Sequence, residues 1–126
     1  MARILVLDDE PLISMMLDEW LSELGCETIG PAHSVQSALV LLENETPDAG
    51  ILDVSLGDDN SYAVAMALRA RGIPFALATG YGDKCVETSF KDEIFIPKPF
   101  DFEAIKNVLR QLLRSSHSHR AGSHNR

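Results

Sequence analysis

The chain has only two cysteines, Cys26 and Cys85, among 126 residues. Two thiols cannot build a disulfide framework, and they suit a reducing compartment. Long apolar runs are missing too. Stretches such as Ala38–Leu42 fall far short of the twenty or so residues that a membrane-spanning helix needs. The amino terminus, Met1-Ala2-Arg3, leads straight into a strand-like run and then acids, unlike a secretory signal. These absences point to a cytoplasmic protein. Basic residues are scarce where a nucleic-acid surface would need them: no lysine or arginine lies between Arg3 and Arg69. With 19 acids against 11 bases and a net charge of −8, the body disfavours nonspecific contact with phosphate backbones. Acids in turn stop at Glu103, and Lys106, Arg110, Arg114, Arg120 and Arg126 follow, as a solvated helix face and a frayed end. The chain shows no internal repeat, no Walker-type phosphate loop and no serine–histidine–acid arrangement.

What is present is a regular alternation. Ile4-Leu5-Val6-Leu7 is continuously apolar, the pattern of a strand covered on both faces. Ile13, Met16, Leu17, Trp20, Leu21 and Leu24 then recur at helical steps, and Gly25 stands where such a helix stops. Cys26–Ile29 reads as a short edge strand, and Ser34 as the cap of a helix carrying Val35, Ala38, Leu39 and Leu42. His33, just before that cap, reads as structural. Ala49–Leu52 is a third strand, Gly57–Ser61 a loop, and an alanine-rich helix closes at Gly72. Pro74–Ala78 and Ile94–Ile96 read as the fourth and fifth strands, with a weakly helical stretch over Gly80–Asp92 between them. Asp101 can cap a last helix bearing Ile105, Val108, Leu109, Leu112 and Leu113. From Ser115 on there is almost nothing to bury, so 1–114 is expected as the domain and 115–126 as a polar, disordered tail. Five strands alternating with helices make an α/β fold with a mostly parallel sheet. In such sheets ligands bind beyond the carboxyl ends of the strands.

Those ends carry Asp8-Asp9-Glu10, Asp53, Thr79-Gly80 and Lys98-Pro99. Carboxylates sharing a cleft repel one another, and a divalent cation among them relieves the repulsion. A lysine and a hydroxyl beside such an ion form a phosphoryl site, in which Asp53 can act as a carboxylate nucleophile.

The motifs LVLDDEP at 5–11, ILDVSLG at 51–57, ALATGYGD at 76–83 and FIPKPF at 95–100 resemble those of response-regulator receiver domains, the phosphoacceptors of two-component signalling. The resemblance covers about residues 3–114. It implies a flavodoxin-like (βα)5 doubly wound fold with strand order 2-1-3-4-5. By the same resemblance Asp53 is the phosphoacceptor, and Mg²⁺ (or Mn²⁺) is held by Asp8, Asp9, Asp53 and the backbone carbonyl of Ser55. Lys98 contacts the phosphoryl group, its bond to Pro99 is often cis, and Thr79 is the switch hydroxyl with Phe95 as the aromatic switch. Ser55 and Tyr81 occupy the positions that tune hydrolysis. Leu77-Ala78-Thr79-Gly80-Tyr81 is also similar to the motif of a subset of stand-alone receivers in which the segment after the threonine is mobile. The implied partner is a sensor histidine kinase or a histidine phosphotransfer protein. Catalysis is then limited to the domain's own phosphorylation and slow hydrolysis, with output through a protein contact and a monomer or weak dimer expected. No effector domain is expected after Leu113, in either a stand-alone receiver or one excised from a longer chain.

Each motif has a plainer reading. Asp8-Asp9-Glu10 before Pro11 suits a helix amino terminus, Asp53 a turn, Lys98 a solvated loop and Phe95 ordinary core. Gly80-Tyr81-Gly82 opens a dinucleotide fingerprint, but Cys85 stands at its third glycine. His117 and His119 have no partner ligands nearby in the sequence. Two other functions remain alternatives: a Mg²⁺-dependent phosphatase with an aspartyl nucleophile, and a non-catalytic flavodoxin-like binding module.

Overall fold

The apolar run after Arg3 forms β1 (Arg3–Leu7), with Ile4, Leu5, Val6 and Leu7 all buried. A computed structural model describes residues 1–56, 59–79 and 93–124, with side chains for all of these except 55–56, 59–60 and 115–124. After β1 come α1 (Pro11–Glu23), β2 (Glu27–Ala32), α2 (Val35–Asn44), β3 (Ala49–Asp53), β4 (Ser55–Leu56), β5 (Asp59–Asn60), α3 (Tyr62–Ala70), β6 (Phe75–Thr79), β7 (Ile94–Pro97) and α4 (Phe102–His124). The main sheet is parallel throughout, in the order β2-β1-β3-β6-β7. Counting its five strands alone, this is the expected 2-1-3-4-5. The stretch Gly80–Asp92 lies outside the described residues.

Local chemistry explains the element ends. Pro11 opens α1, where its missing N–H costs nothing. Gly25, with φ 78°, takes the left-handed turn that ends the helix. At α2 the Ser34 hydroxyl accepts from the Ser37 N–H, and the Ser37 hydroxyl accepts from the Ser34 N–H, a reciprocal cap. Asp101 caps α4 by accepting from the Ala104 N–H at 2.9 Å.

Three details differ from the sequence reading. Where a loop was read at Gly57–Ser61, Asp59 and Asn60 pair with Leu56 and Ser55 just before it in a short antiparallel ladder. The backbone of α4 continues through Ser115 to His124, beyond the last apolar position. The edge strand starts one residue late and runs three residues further, to Ala32, because it contains a bulge. Leu5 pairs with Ile29 but Leu7 with Ala32, so β2 carries one extra residue. Gly30, with φ 99°, makes that bulge, and a Cβ there would lie 2.6 Å from the Ala32 nitrogen. Only glycine fits.

Strand alternation divides the core into two layers. Leu5, Leu7, Leu52 and Leu77 pack against α2 and α3. Ile4, Val6, Ile51, Ala76 and Ile96 pack against α1 and α4. Burying each large aliphatic side chain contributes about 1.5–3 kcal/mol. Trp20 and Phe102 join α1 to α4 edge to face, with ring centroids 6.0 Å apart. Among the described residues, no helix is long and apolar enough to cross a membrane.

Candidate functional site

The register of the sheet assembles the site. Leu7 of β1 pairs with Leu52 of β3, so Asp8 and Asp53 emerge side by side at the carboxyl edge. Asp53 pairs with Ala78, and Thr79 pairs with Pro97, which carries Lys98 to the same edge. The Lys98 N–H donates to the Thr79 carbonyl at 2.8 Å, and the Lys98–Pro99 peptide bond is cis. Lys98 and Asp53 stand on strands separated by β6, roughly 10 Å apart at two strand spacings. The long lysine stem crosses that gap.

Its ammonium sits among three carboxylates. Lys98 Nζ lies 3.2 Å from Asp53 Oδ2, 3.3 Å from Glu10 Oε1 and 3.4 Å from Asp8 Oδ2. The Asp8 and Asp53 side chains are only 2% and 7% exposed, whereas Glu10 covers the outside at 62%. One oxygen from each of Asp8, Glu10 and Asp53 falls within a 4.8 Å group, a spacing that a single divalent ion can span. All the donors are hard oxygens, the set that suits Mg²⁺ or Mn²⁺.

Two ionisations are displaced here. Burial pushes the Asp8 carboxyl up, against the opposing pull of the Glu10 N–H and of Lys98. Burial alone would lower Lys98, but attraction from Asp53 and Asp8 outweighs it and the ammonium is held above its ordinary range. Among the described residues, one ammonium thus faces three carboxylates.

The structure brings together Asp8, Asp53 and Lys98, with Thr79 buried at the end of the intervening strand. Asp9 is exposed and outside the group of three. Phe95 is half-buried against the layer formed with α2 and α3. The Ser55 backbone lies in β4, two residues past Asp53. Tyr81 lies outside the described residues. The sequence reading named Glu10 among the acids at the strand ends but gave it no place in the metal set. A turn folds it back, with the Glu10 N–H donating to Asp8 Oδ1 at 2.9 Å. His33, read as structural, places its ring nitrogen Nδ1 3.0 Å from the Asp8 carbonyl.

Comparison with known proteins agrees with this geometry. The profile of the Response regulator receiver domain family matches residues 4–110. The sensory transduction protein LytT of Bacillus cereus is 34% identical over 122 residues, covering 94% of this chain and 50% of that protein. The chain spans about half the length of the curated relatives it matches. Among solved structures, SdrG from Sphingomonas melonis is 42% identical with a TM-score of 0.79, over 90% of this chain and 97% of that one. TrrA from Thermotoga maritima, a response regulator solved with Mg²⁺ and a beryllium fluoride, is 31% identical with a TM-score of 0.77. It aligns over 90% of this chain and 100% of its own.

Proposed function

Because the chain belongs to the response regulator receiver domain family of two-component signalling, we propose that Asp53 is its phosphoacceptor, taking a phosphoryl group from a phosphohistidine on a sensor histidine kinase or a histidine phosphotransfer protein. The observation that carries the reading is the Lys98 ammonium set among Asp53, Asp8 and Glu10 at the carboxyl edge. An Asp53 oxygen attacks phosphorus in line. As the O–P bond forms, the N–P bond of the donor breaks, and its electron pair stays on the imidazole nitrogen.

A divalent cation, Mg²⁺ or Mn²⁺, supplies charge neutralisation and alignment of the phosphoryl oxygens when bound. Asp8, Asp9 and Asp53, with the Ser55 carbonyl, would hold it, and Glu10 adds a carboxylate at the rim. Lys98 exchanges a carboxylate partner for a phosphoryl oxygen. Thr79 then donates its hydroxyl to the same group, and Phe95 turns inward behind it. Ser55 and Tyr81 govern the access of water to the acyl phosphate. The altered face of β6, β7 and their helices changes affinity for a protein target. Beyond its own phosphorylation and slow dephosphorylation the domain turns nothing over. Its place is the cytoplasm, where phosphohistidine is made from ATP.

Incubation with acetyl phosphate and Mg²⁺, followed by intact-mass measurement, tests this. The expected product carries one base-labile phosphoryl group, absent without metal and absent in Asp53→Asn. Equal labelling of Asp53→Asn, or continuous release of phosphate at enzymatic rates, overturns the reading.

A further inference from the structure

The carbonyl of Asp8 takes two hydrogen bonds from side chains in different parts of the chain. Ser14 Oγ donates to it at 3.1 Å from within α1. His33 Nδ1 approaches it at 3.0 Å from the connection between β2 and α2. A carbonyl only accepts, so the ring carries its hydrogen on Nδ1. The Asp8 N–H meanwhile donates to the Ala32 carbonyl at 3.0 Å, a bond that the bulge at Gly30 makes possible.

Ser14 is an odd choice at its position. It shares the buried face of α1 with Leu17 and Leu21, where a hydroxyl costs free energy unless it is bonded. A mid-helix serine commonly bonds the carbonyl four residues back. Here the Ser14 hydroxyl reaches six residues back, while the Ser14 N–H takes the Glu10 carbonyl. His33 is exposed, so its ring is not there to fill the core.

We propose that Ser14 and His33 are positioning residues that clamp the Asp8–Asp9 peptide from two sides and so aim the acidic side chains at the cation site. The peptide plane sets ψ of Asp8 and φ of Asp9, and hence the direction in which both carboxylates leave the chain. Partners one step removed from a metal site fix its donors in this way. The inference rests on the proposed phosphoacceptor site and deepens it.

The test measures Mn²⁺ binding to the full chain by the electron paramagnetic resonance of the free ion, in parallel with metal-free thermal unfolding. His33→Phe keeps an aromatic ring and loses the donor. His33→Asn keeps an N–H near the place of Nδ1. Combining His33→Phe with Ser14→Ala is expected to weaken Mn²⁺ binding by about tenfold. His33→Phe alone should weaken it by less, and His33→Asn should restore it, with metal-free melting of the two His33 variants alike. A purely structural role would separate those two variants in melting and not in metal affinity. Native binding with equal affinity in both His33 variants overturns the inference alone. Failure of the native chain to bind Mn²⁺ overturns the proposed site and this inference with it.

Discussion

Among the described residues, each end of the sheet sets one cation near three carboxylates, and the two ends treat that grouping in opposite ways. At the amino end the Arg3 guanidinium pairs with Glu45 and lies 3.5 Å from Glu27, while the Arg3 backbone N–H donates to Asp48 Oδ2 at 2.8 Å. Those side chains are half-buried or exposed, with Arg3 37% and Glu27 54% exposed. At the carboxyl end Lys98 is 17% exposed and Asp8 only 2%. Solvent screens the first cluster, so it ties strand ends together and contributes little. The second, apart from Glu10, is largely out of water, so holding ionised carboxylates there costs free energy that a bound cation would lower. Composition does not separate a structural ion network from a binding site. Desolvation does.

Removing the cation at each end sharpens this contrast. Lys98→Met takes the ammonium away from two buried carboxylates, and metal-free unfolding should show a loss of roughly 3 kcal/mol. Arg3→Met should lower the melting temperature only slightly, and added salt should shrink that difference further. Equal losses at the two ends would break the comparison.

Next in size is the bulge that sets the height of Asp8. Gly30→Ala forces a side chain into a left-handed backbone and against the Ala32 nitrogen, at a cost of about 2 kcal/mol in chemical unfolding. It should also weaken Mn²⁺ binding, whereas Gly25→Ala, where a Cβ meets no atom within 4 Å, should cost stability alone.

The smallest effect is pH dependence. The Asp8 carboxyl is raised by burial, so its contribution to stability is whole below its ordinary value of 3.8 and is lost as pH climbs through the raised value. Metal-free protein should therefore gain stability on mild acidification relative to Asp8→Asn. Mg²⁺ should cancel the gain by favouring the ionised form. Lys98 is raised as well, so its contribution persists below 10.5 and fades as pH rises through its elevated value. Lys98→Met should lack that alkaline loss. Melting curves across pH, with and without Mg²⁺, read both.

Much of this was visible in the residues themselves. The run Ile4–Leu7 announced a strand buried on both faces, Ser34 announced its helix, and the acids and the lysine stood just past strand-like runs. The β2 bulge was not visible, because Gly30-Pro31 reads as a stop unless one knows that the neighbouring strand continues beside it. The ladder at Ser55–Asn60 was hidden for a similar reason: two-residue strands leave no periodicity to read. His33 looked like an ordinary loop residue, since its partner is a backbone carbonyl 25 positions away that no side-chain pattern can signal.

By itself, then, the order of residues determined which segments become strands and helices and which reactive groups end each strand, because periodicity, caps and breakers act over a few neighbours. Only the folded sheet decided that β1 and β3 lie side by side, that Lys98 reaches past β6, and that Glu10, Ser14 and His33 gather around Asp8. Those meetings depend on strand order, a one-residue bulge and the direction of a single peptide plane. Such quantities are set by packing between segments far apart in the chain.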